Sequence, residues 1–214
     1  MPEFTQIAGK AAAIQIENLD TDQIIPKQFL KGIDKAGLAD GILYDLRFDA
    51  TGALRPDFVL NRAAYSGTRI LIGGANFGCG SSREHAVWGL QQFGIDAVIA
   101  PSFGEIFYSN AMNNRLLLVM LPREIIEGLM AYVDTNTDNV VTIDIHRMCV
   151  TSALGEAKFE LSERHRSMFL EGLDMIGLSL KQRADIERFI ENYWSAFPWN
   201  KNVARVTRDR LGAT

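Results

Sequence analysis

The chain has 214 residues, of which 47% are hydrophobic and 22% are charged, and its formal net charge is -4 at pH 7. This composition is ordinary for a globular protein, and the acidic balance argues against non-specific nucleic-acid binding, which usually needs a basic face. No apolar run approaches the roughly 20 residues of a membrane span, and the first residues lack the order of a signal peptide. Only two cysteines occur, and nothing suggests a disulfide-rich secreted scaffold, so we expect a protein of the reducing cytoplasm with no nucleic-acid or membrane partner.

The N-terminal part predicts little regular structure. Residues 7–16 indicate a weak strand, and residues 17–26 a polar turn in which Asp20 and Asp22 form either an Asx-type turn or a cation-binding pair. Residues 27–58 contain glycines that interrupt every apolar period, yet they are too apolar for a solvated linker. We predict an ordered flap there that presents apolar side chains to a ligand or a partner.

From residue 69 onward, near-continuous apolar strands alternate with helices, which indicates βαβ units and a buried parallel sheet. The predicted strands are 69–73, 97–100 and 116–121, and the predicted helices are 83–93, 104–113 and 123–133. Two further strands, 140–145 and 158–161, are followed by helices 162–173 and 181–196.

The predicted domain organisation is one domain over residues 1–200 and a polar, basic tail over residues 201–214. Trp194, Phe197 and Trp199 are expected to anchor the last helix, in the segment 181–199, against the body of the domain. The tail is expected to fray.

The most informative stretch is the strand-to-helix turn at residues 73–86, which contains Cys79, Ser81, Ser82, Arg83 and His85. Its glycines permit positive φ and close approach of a ligand to the backbone. Free N–H groups at a helix start attract anions, and an arginine there can bind a carboxylate bidentately. The turn therefore predicts a site for a small anionic ligand.

The residues alone leave two roles open. Ser81 and Glu84 fit a helix capping box, but Ser81 could also act as a base, as an alkoxide stabilised by Arg83 and the helix N-terminus. Cys79 with His85 could make a hydrolytic nucleophile, although a buried inert thiol is the commoner case. Phosphate-loop, dinucleotide, nucleophile-elbow and common metal-binding spacings do not occur.

Residues 76–86 resemble the signature of the mobile domain of the aconitase superfamily, and residues 20–30 look like its second signature. Segments 100–103 and 171–178 extend the resemblance, which covers roughly residues 5–199. It implies an α/β fold, a three-layer β/β/α swivelling domain with a mainly parallel sheet. It also implies that the domain works only with a large subunit.

Within the superfamily, the chain resembles the small partners of two-chain hydro-lyases of leucine biosynthesis. Those enzymes interconvert 2-isopropylmalate and 3-isopropylmalate, malate-type dicarboxylates, through 2-isopropylmaleate. The resemblance implies that Ser81 removes the carbon-bound proton and that Asp22 is a catalytic aspartate of the active site, close to the turn. It also implies that Arg83 binds a substrate carboxylate and that Ser82 donates a hydrogen bond. It places a [4Fe-4S] cluster on the large subunit, so no metal is expected on this chain, whose two cysteines are too few for such a cluster.

Substrate specificity is expected to depend on Phe29, Leu30 and Lys31, at the end of the second signature and just after it. The two apolar residues could accommodate an isopropyl group, whereas Lys31 could serve a carboxylate and leaves a homoaconitase-like specificity open. A non-catalytic anion-binding module of the same fold is the remaining alternative.

Overall fold

The computed structural model describes residues 5–30 and 37–212. The chain forms two compact units, Met1–Asp174 and Met175–Thr214. The second unit thus begins before residue 200, where the sequence placed the domain boundary. No helix within the described ranges is both long and apolar enough to cross a membrane.

Within the described residues, the strands all lie in the first unit. They are β1 (Gln6–Gly9), β2 (Ala11–Ile14), β3 (Ile70–Gly73), β4 (Ala97–Ala100), β5 (Leu117–Met120), β6 (Val141–Asp144), β7 (Cys149–Ser152) and β8 (Gly155–Lys158). The helices of the same unit are α1 (Thr21–Ile24), α2 (Leu38–Gly41), α3 (Tyr44–Arg47), α4 (Glu84–Phe93), α5 (Glu105–Asn113), α6 (Arg123–Thr135) and α7 (Glu163–Leu170). Those of the second unit are α8 (Met175–Leu180), α9 (Arg183–Ala196) and α10 (Val203–Leu211).

One sheet is parallel, with strand order β2-β3-β4-β5. Every residue of β2, β3 and β4 is buried, which explains why these strands are apolar throughout. Helix α6 packs on this sheet through Ile126, Leu129, Met130 and Val133. The prediction of an α/β fold with a buried parallel sheet is confirmed.

The other sheet is antiparallel, with strand order β1-β6-β7-β8. The single strand predicted over residues 7–16 is wrong, because β1 joins this sheet while β2 enters the parallel one. The strand predicted at 158–161 is also misplaced. The hairpin consists of β7 and β8, and the polar residues Thr151 and Ser152 of β7 hide it from a hydrophobicity pattern.

The flap prediction for residues 27–58 holds only in part. Leu38, Ile42 and Leu43 are fully or almost fully buried in the protein's own core, so the expectation that they face a ligand or partner is wrong. Gly41 allows this packing, because a side chain there would overlap the ring of Phe29. Phe29 in turn lies 5.0 Å from the ring of Tyr44.

The second unit is helical to its described end. The frayed tail predicted from residue 201 is wrong, because α10 occupies Val203–Leu211 and ends at Gly212 in the left-handed conformation typical of a helix stop. The ring of Phe197 lies 5.1 Å from that of Tyr193 and 5.6 Å from that of Trp199, so these aromatic residues pack on one another. Anchoring against the body stays a prediction.

Asn139 closes the outer edge of β2. Its side chain is buried, and Oδ1 accepts a hydrogen bond from Ala11 N at 2.8 Å. Nδ2 donates to Ala11 O at 3.2 Å and to Asn136 O at 2.8 Å. One amide therefore satisfies both backbone groups of an edge residue that a strand would otherwise have to pair.

We predict that Asn139→Ala lowers the free energy of unfolding by about 2 to 3 kcal/mol, because it leaves buried backbone groups of Ala11 unpaired. Urea titration followed by circular dichroism measures the loss. Asn136→Ala is the matched control: Asn136 is exposed and its Nδ2 donates to Tyr132 O at 2.8 Å, so it should cost about 1 kcal/mol or less. Equal losses would contradict the assigned role of Asn139.

Candidate active site

The candidate site is built from two segments that lie side by side: residues 18–22, which lead into α1, and residues 76–83, which follow β3. Gly78 N donates to Leu19 O at 2.7 Å, and Thr21 N donates to Cys79 O at 2.9 Å. Asp20 and Cys79 form a short parallel bridge between these bonds. The two segments that carry the superfamily signatures are therefore joined directly by backbone hydrogen bonds.

Asp20 begins α1 through a capping box. Its Oδ1 accepts a hydrogen bond from Gln23 N at 2.7 Å, and Gln23 Oε1 accepts one from Asp20 N at 3.1 Å. The carboxylate is thus occupied with its own helix start, which favours a structural role over cation binding. Asp22 has a different partner, described below.

The second segment reaches its position through glycines in the left-handed region. Gly78 has φ 74° and Gly80 has φ 94°. A side chain at Gly78 would overlap the ring of Phe107, so this backbone passes directly over α5. Glycine is required there both for its conformation and for the close approach.

Ser81 and Ser82 are exposed and precede the open N-terminus of α4. The helix begins at Glu84, with Arg83 at the N-cap in an extended conformation (φ -132°) and without a capping side-chain bond. The capping box predicted for Ser81 and Glu84 is therefore wrong, since the helix starts too late for it. Glu84 instead accepts a hydrogen bond from Asn114 Nδ2 at 2.5 Å.

Arg83 is held by the first segment. Its Nη1 forms an ion pair with Asp22 Oδ1 and lies 3.4 Å from Ile25 O. The arginine side chain is only 12% exposed, whereas that of Asp22 is 49% exposed. Both recorded contacts use Nη1, so Nε and Nη2 have no recorded partner among the described residues and remain available for a carboxylate.

Cys79 and His85 do not form a nucleophile pair. The thiol of Cys79 donates to Asn18 O at 3.3 Å, and the ring of His85 lies 4.9 Å from that of Trp88. No hydrogen bond joins the two residues in the part of the chain that the structure describes. The thiol is engaged by a backbone carbonyl and the imidazole by an aromatic ring, so the hydrolase alternative has no geometric support.

The structure does not bring the predicted specificity residues to the candidate site as clearly as it brings Ser81, Arg83 and Asp22. Phe29 and Leu30 are half-buried and pack against the core, and Lys31 lies outside the described residues. Their contact with a substrate stays a prediction. One residue was missed by sequence reasoning: Thr21 donates from Oγ1 to Ser81 O at 2.9 Å. Its position between Asp20 and Asp22 was the only signal in the sequence.

The donor set of this chain does not suit an iron–sulfur cluster. Cys79 bonds to Asn18, and Cys149 is fully buried in β7. Residues 5–30 and 37–212 contain no group of three or more potential metal ligands.

Comparison with known proteins places this geometry in a family. The model of the aconitase C-terminal domain matches residues 1–124. The 3-isopropylmalate dehydratase small subunit 1 of Chromobacterium violaceum is 58% identical over 211 residues, covering 99% of this chain and 100% of the relative. The chain belongs to the 3-isopropylmalate dehydratase small-subunit family.

Other members of the small-subunit family agree. The small subunit from Phenylobacterium zucineum is 47% identical over 200 residues, covering 93% of this chain and 98% of that protein. The crystal structure of a 3-isopropylmalate dehydratase from Methanocaldococcus jannaschii covers 86% of this chain and 98% of its own, with 28% identity and a TM-score of 0.61. The resemblance inferred from residues 20–30 and 76–86 is confirmed.

We predict that Gly78→Ala destabilises the protein more than Gly67→Ala. Both positions have nearly the same φ, 74° and 75°, so each substitution carries the left-handed penalty of about 1 to 2 kcal/mol. Only Gly78 adds overlap with Phe107, because the space around Gly67 is open. The extra loss should be about 1 to 3 kcal/mol, measured by urea unfolding. Equal losses would mean that the turn does not pass over α5 as described.

Proposed function

We propose that this chain is the small subunit of a 3-isopropylmalate dehydratase, a hydro-lyase of leucine biosynthesis. With a large subunit, it interconverts 2-isopropylmalate and 3-isopropylmalate by dehydration to 2-isopropylmaleate and rehydration. The names of the relatives favour this reaction over a homoaconitase-like one. The observation that carries the proposal is the exposed Ser81 beside Arg83, which Asp22 holds by an ion pair. A non-catalytic anion-binding module would need the arginine but not the exposed serine beside it.

Ser81 is proposed as the base that removes the carbon-bound proton of the substrate. A serine hydroxyl can accept that proton only as an alkoxide, so its surroundings must stabilise negative charge. Arg83 follows two residues later, and α4 begins immediately after it without a side-chain cap. A guanidinium and free helix N–H groups both favour an anion. During rehydration, Ser81 returns the proton to carbon.

Arg83 is proposed as the clamp for a substrate carboxylate. The ion pair with Asp22 uses Nη1 and fixes the direction of the guanidinium, while Nε and Nη2 can donate two parallel hydrogen bonds to a carboxylate. Ser82, exposed and adjacent, can donate a third bond. This arrangement suits a malate-type dicarboxylate better than a neutral ligand.

The large subunit is proposed to complete the site. A [4Fe-4S] cluster there would supply a Lewis acid for the substrate hydroxyl. The two cysteines of this chain are both committed to its own structure. Phe29 and Leu30 are proposed to line the isopropyl pocket, where burial favours the ligand by about 0.8 kcal/mol per methyl or methylene group.

The experiment that tests the function is co-expression of this chain with a 3-isopropylmalate dehydratase large subunit. Anaerobic assays would follow the ultraviolet absorbance of 2-isopropylmaleate formed from 2-isopropylmalate. We expect turnover by the pair and none by either chain alone. Turnover by this chain alone, or inactivity of an assembled pair whose cluster is intact, would contradict the proposal.

We predict that Ser81→Ala leaves the assembly intact and lowers kcat by about 100- to 10,000-fold, the range of a lost general base. Assembly is measured by size-exclusion chromatography and kcat by the same assay. Ser109→Ala is the control, because Ser109 is an exposed serine of α5 outside the site, and its kcat should not change. Near-normal turnover by Ser81→Ala would remove Ser81 from the mechanism.

We predict that Arg83→Lys raises KM for 2-isopropylmalate by about 10- to 100-fold, because lysine keeps the charge but loses the bidentate contact. The control is Arg123→Lys. Arg123 is an exposed arginine at the start of α6, and its Nη1 lies 2.6 Å from Glu17 Oε1. The KM of this control variant should stay at the wild-type value. An unchanged KM in Arg83→Lys would show that Arg83 does not bind the substrate.

A further inference from the structure

We propose that Thr21 is a positioning residue for the base, a role that rests on the proposed function of Ser81. Its hydroxyl holds the peptide group of Ser81 in the orientation that directs the serine side chain toward the substrate. Thr21 itself is buried and is not expected to touch the substrate.

The geometry around Thr21 is specific. Thr21 is only 2% exposed, and its Oγ1 donates a hydrogen bond to Ser81 O at 2.9 Å. The backbone N of the same residue donates to Cys79 O at 2.9 Å. These two carbonyls stand on either side of Gly80, so a single residue of α1 fixes the chain before and after that glycine.

The two hydrogen bonds from Thr21 matter because Gly80 lies between the carbonyl groups that accept them. The φ of Gly80, 94°, lies in a region where glycine moves with little steric restriction. Ser81 is exposed, and its bond from Thr21 is the only hydrogen bond recorded between Ser81 and the other described residues. Without the Thr21 hydroxyl, no hydrogen bond to another described residue would hold the peptide that joins Ser81 to Ser82, so the backbone of Ser81 could rotate between that peptide and Gly80.

Asp22, the next residue of α1, orients the proposed carboxylate clamp in a similar way. Asp22 pairs with Arg83, while Thr21 bonds to Ser81. Successive residues at the start of one helix therefore orient the proposed base and the proposed carboxylate clamp. Because Asp20 caps that helix start, the whole arrangement depends on a few bonds at a single helix end.

A buried threonine hydroxyl could also contribute to stability alone, and kinetics separate the two roles. Thr21→Val removes the donor and keeps the shape. We expect kcat of the assembled two-subunit enzyme to fall about 10- to 100-fold, the scale of an angstrom-level misplacement of a reacting group, with KM changed less than about twofold. Thr21→Ser restores the donor and should restore kcat.

The matched control is Thr68→Val. Thr68 is also buried, and its Oγ1 donates to the backbone carbonyl of Tyr65 at 2.7 Å, away from the site. This variant should lose stability as Thr21→Val does but keep the wild-type kcat. If Thr21→Val does not assemble with the large subunit, Thr21→Ala, which removes the same donor with less bulk, serves in its place.

A second measurement needs neither partner nor turnover. Residues 81 and 82 form the only Ser-Ser pair in the sequence. Serine labelled with ¹³C at the carbonyl and with ¹⁵N therefore gives a single carbonyl-to-nitrogen correlation in the nuclear magnetic resonance spectrum of the full chain. Its carbon shift reports the hydrogen bond at Ser81 O. We expect the signal to move or broaden in Thr21→Val, and to stay in place in Thr21→Ser and Thr68→Val.

The outcomes separate the two proposals. An unchanged Ser81 signal, or a kcat in Thr21→Val equal to that of Thr68→Val, would overturn the role of Thr21 and leave the function intact. An inactive wild-type pair with a shifted signal would overturn the catalytic function, and with it the kinetic role of Thr21, while confirming that Thr21 holds the turn.

Discussion

The site depends on one set of contacts, the pairing of residues 18–22 with residues 76–83. Two backbone hydrogen bonds, from Gly78 N to Leu19 O and from Thr21 N to Cys79 O, fix the register of the two segments. The ion pair between Asp22 and Arg83 then closes their far end. Ser81 and Arg83 are placed by a strand of the parallel sheet on one side and by a short helix on the other.

This pairing explains the unusual composition of the turn. Gly78 is needed because the chain crosses Phe107, and Gly80 because the chain must turn back toward α1. The two serines are left exposed as a result, whereas Arg83 is drawn inward and kept almost buried. The half-exposed carboxylate of Asp22 orients the guanidinium through Nη1 and leaves its other N–H groups for an anionic ligand.

Local patterns predict the parallel part of the fold well. The predicted strand at 97–100 coincides with β4, and the helices around it differ by a residue or two, because buried strands and amphipathic helices have clear periods. Local sequence patterns fail where contacts between residues distant in sequence determine burial and strand pairing. The burial of Ile42 against Gly89 and the hairpin of β7 and β8 depend on neighbours distant in sequence.

The candidate site shows the same limit. The residue types of the 73–86 turn predict an anion site, and the resemblance to the aconitase superfamily adds Asp22. Neither reveals that Thr21 and Ser81, 60 positions apart, share a hydrogen bond, since contacts of that range are set by the sheet that brings the segments together. The capping box expected at Ser81 fails for the same reason: Arg83 is pulled toward Asp22, and α4 starts one residue after it.

The most direct test of the account is a structure of the two-subunit complex with 2-isopropylmalate bound. We predict that Ser81 Oγ lies within about 3.5 Å of the substrate carbon that loses its proton, a near-attack distance. The guanidinium of Arg83 should contact a substrate carboxylate through Nε or Nη2, and Asp22 should stay on Nη1. A substrate bound away from residues 81–83, with another chain supplying both the base and the carboxylate clamp, would contradict it.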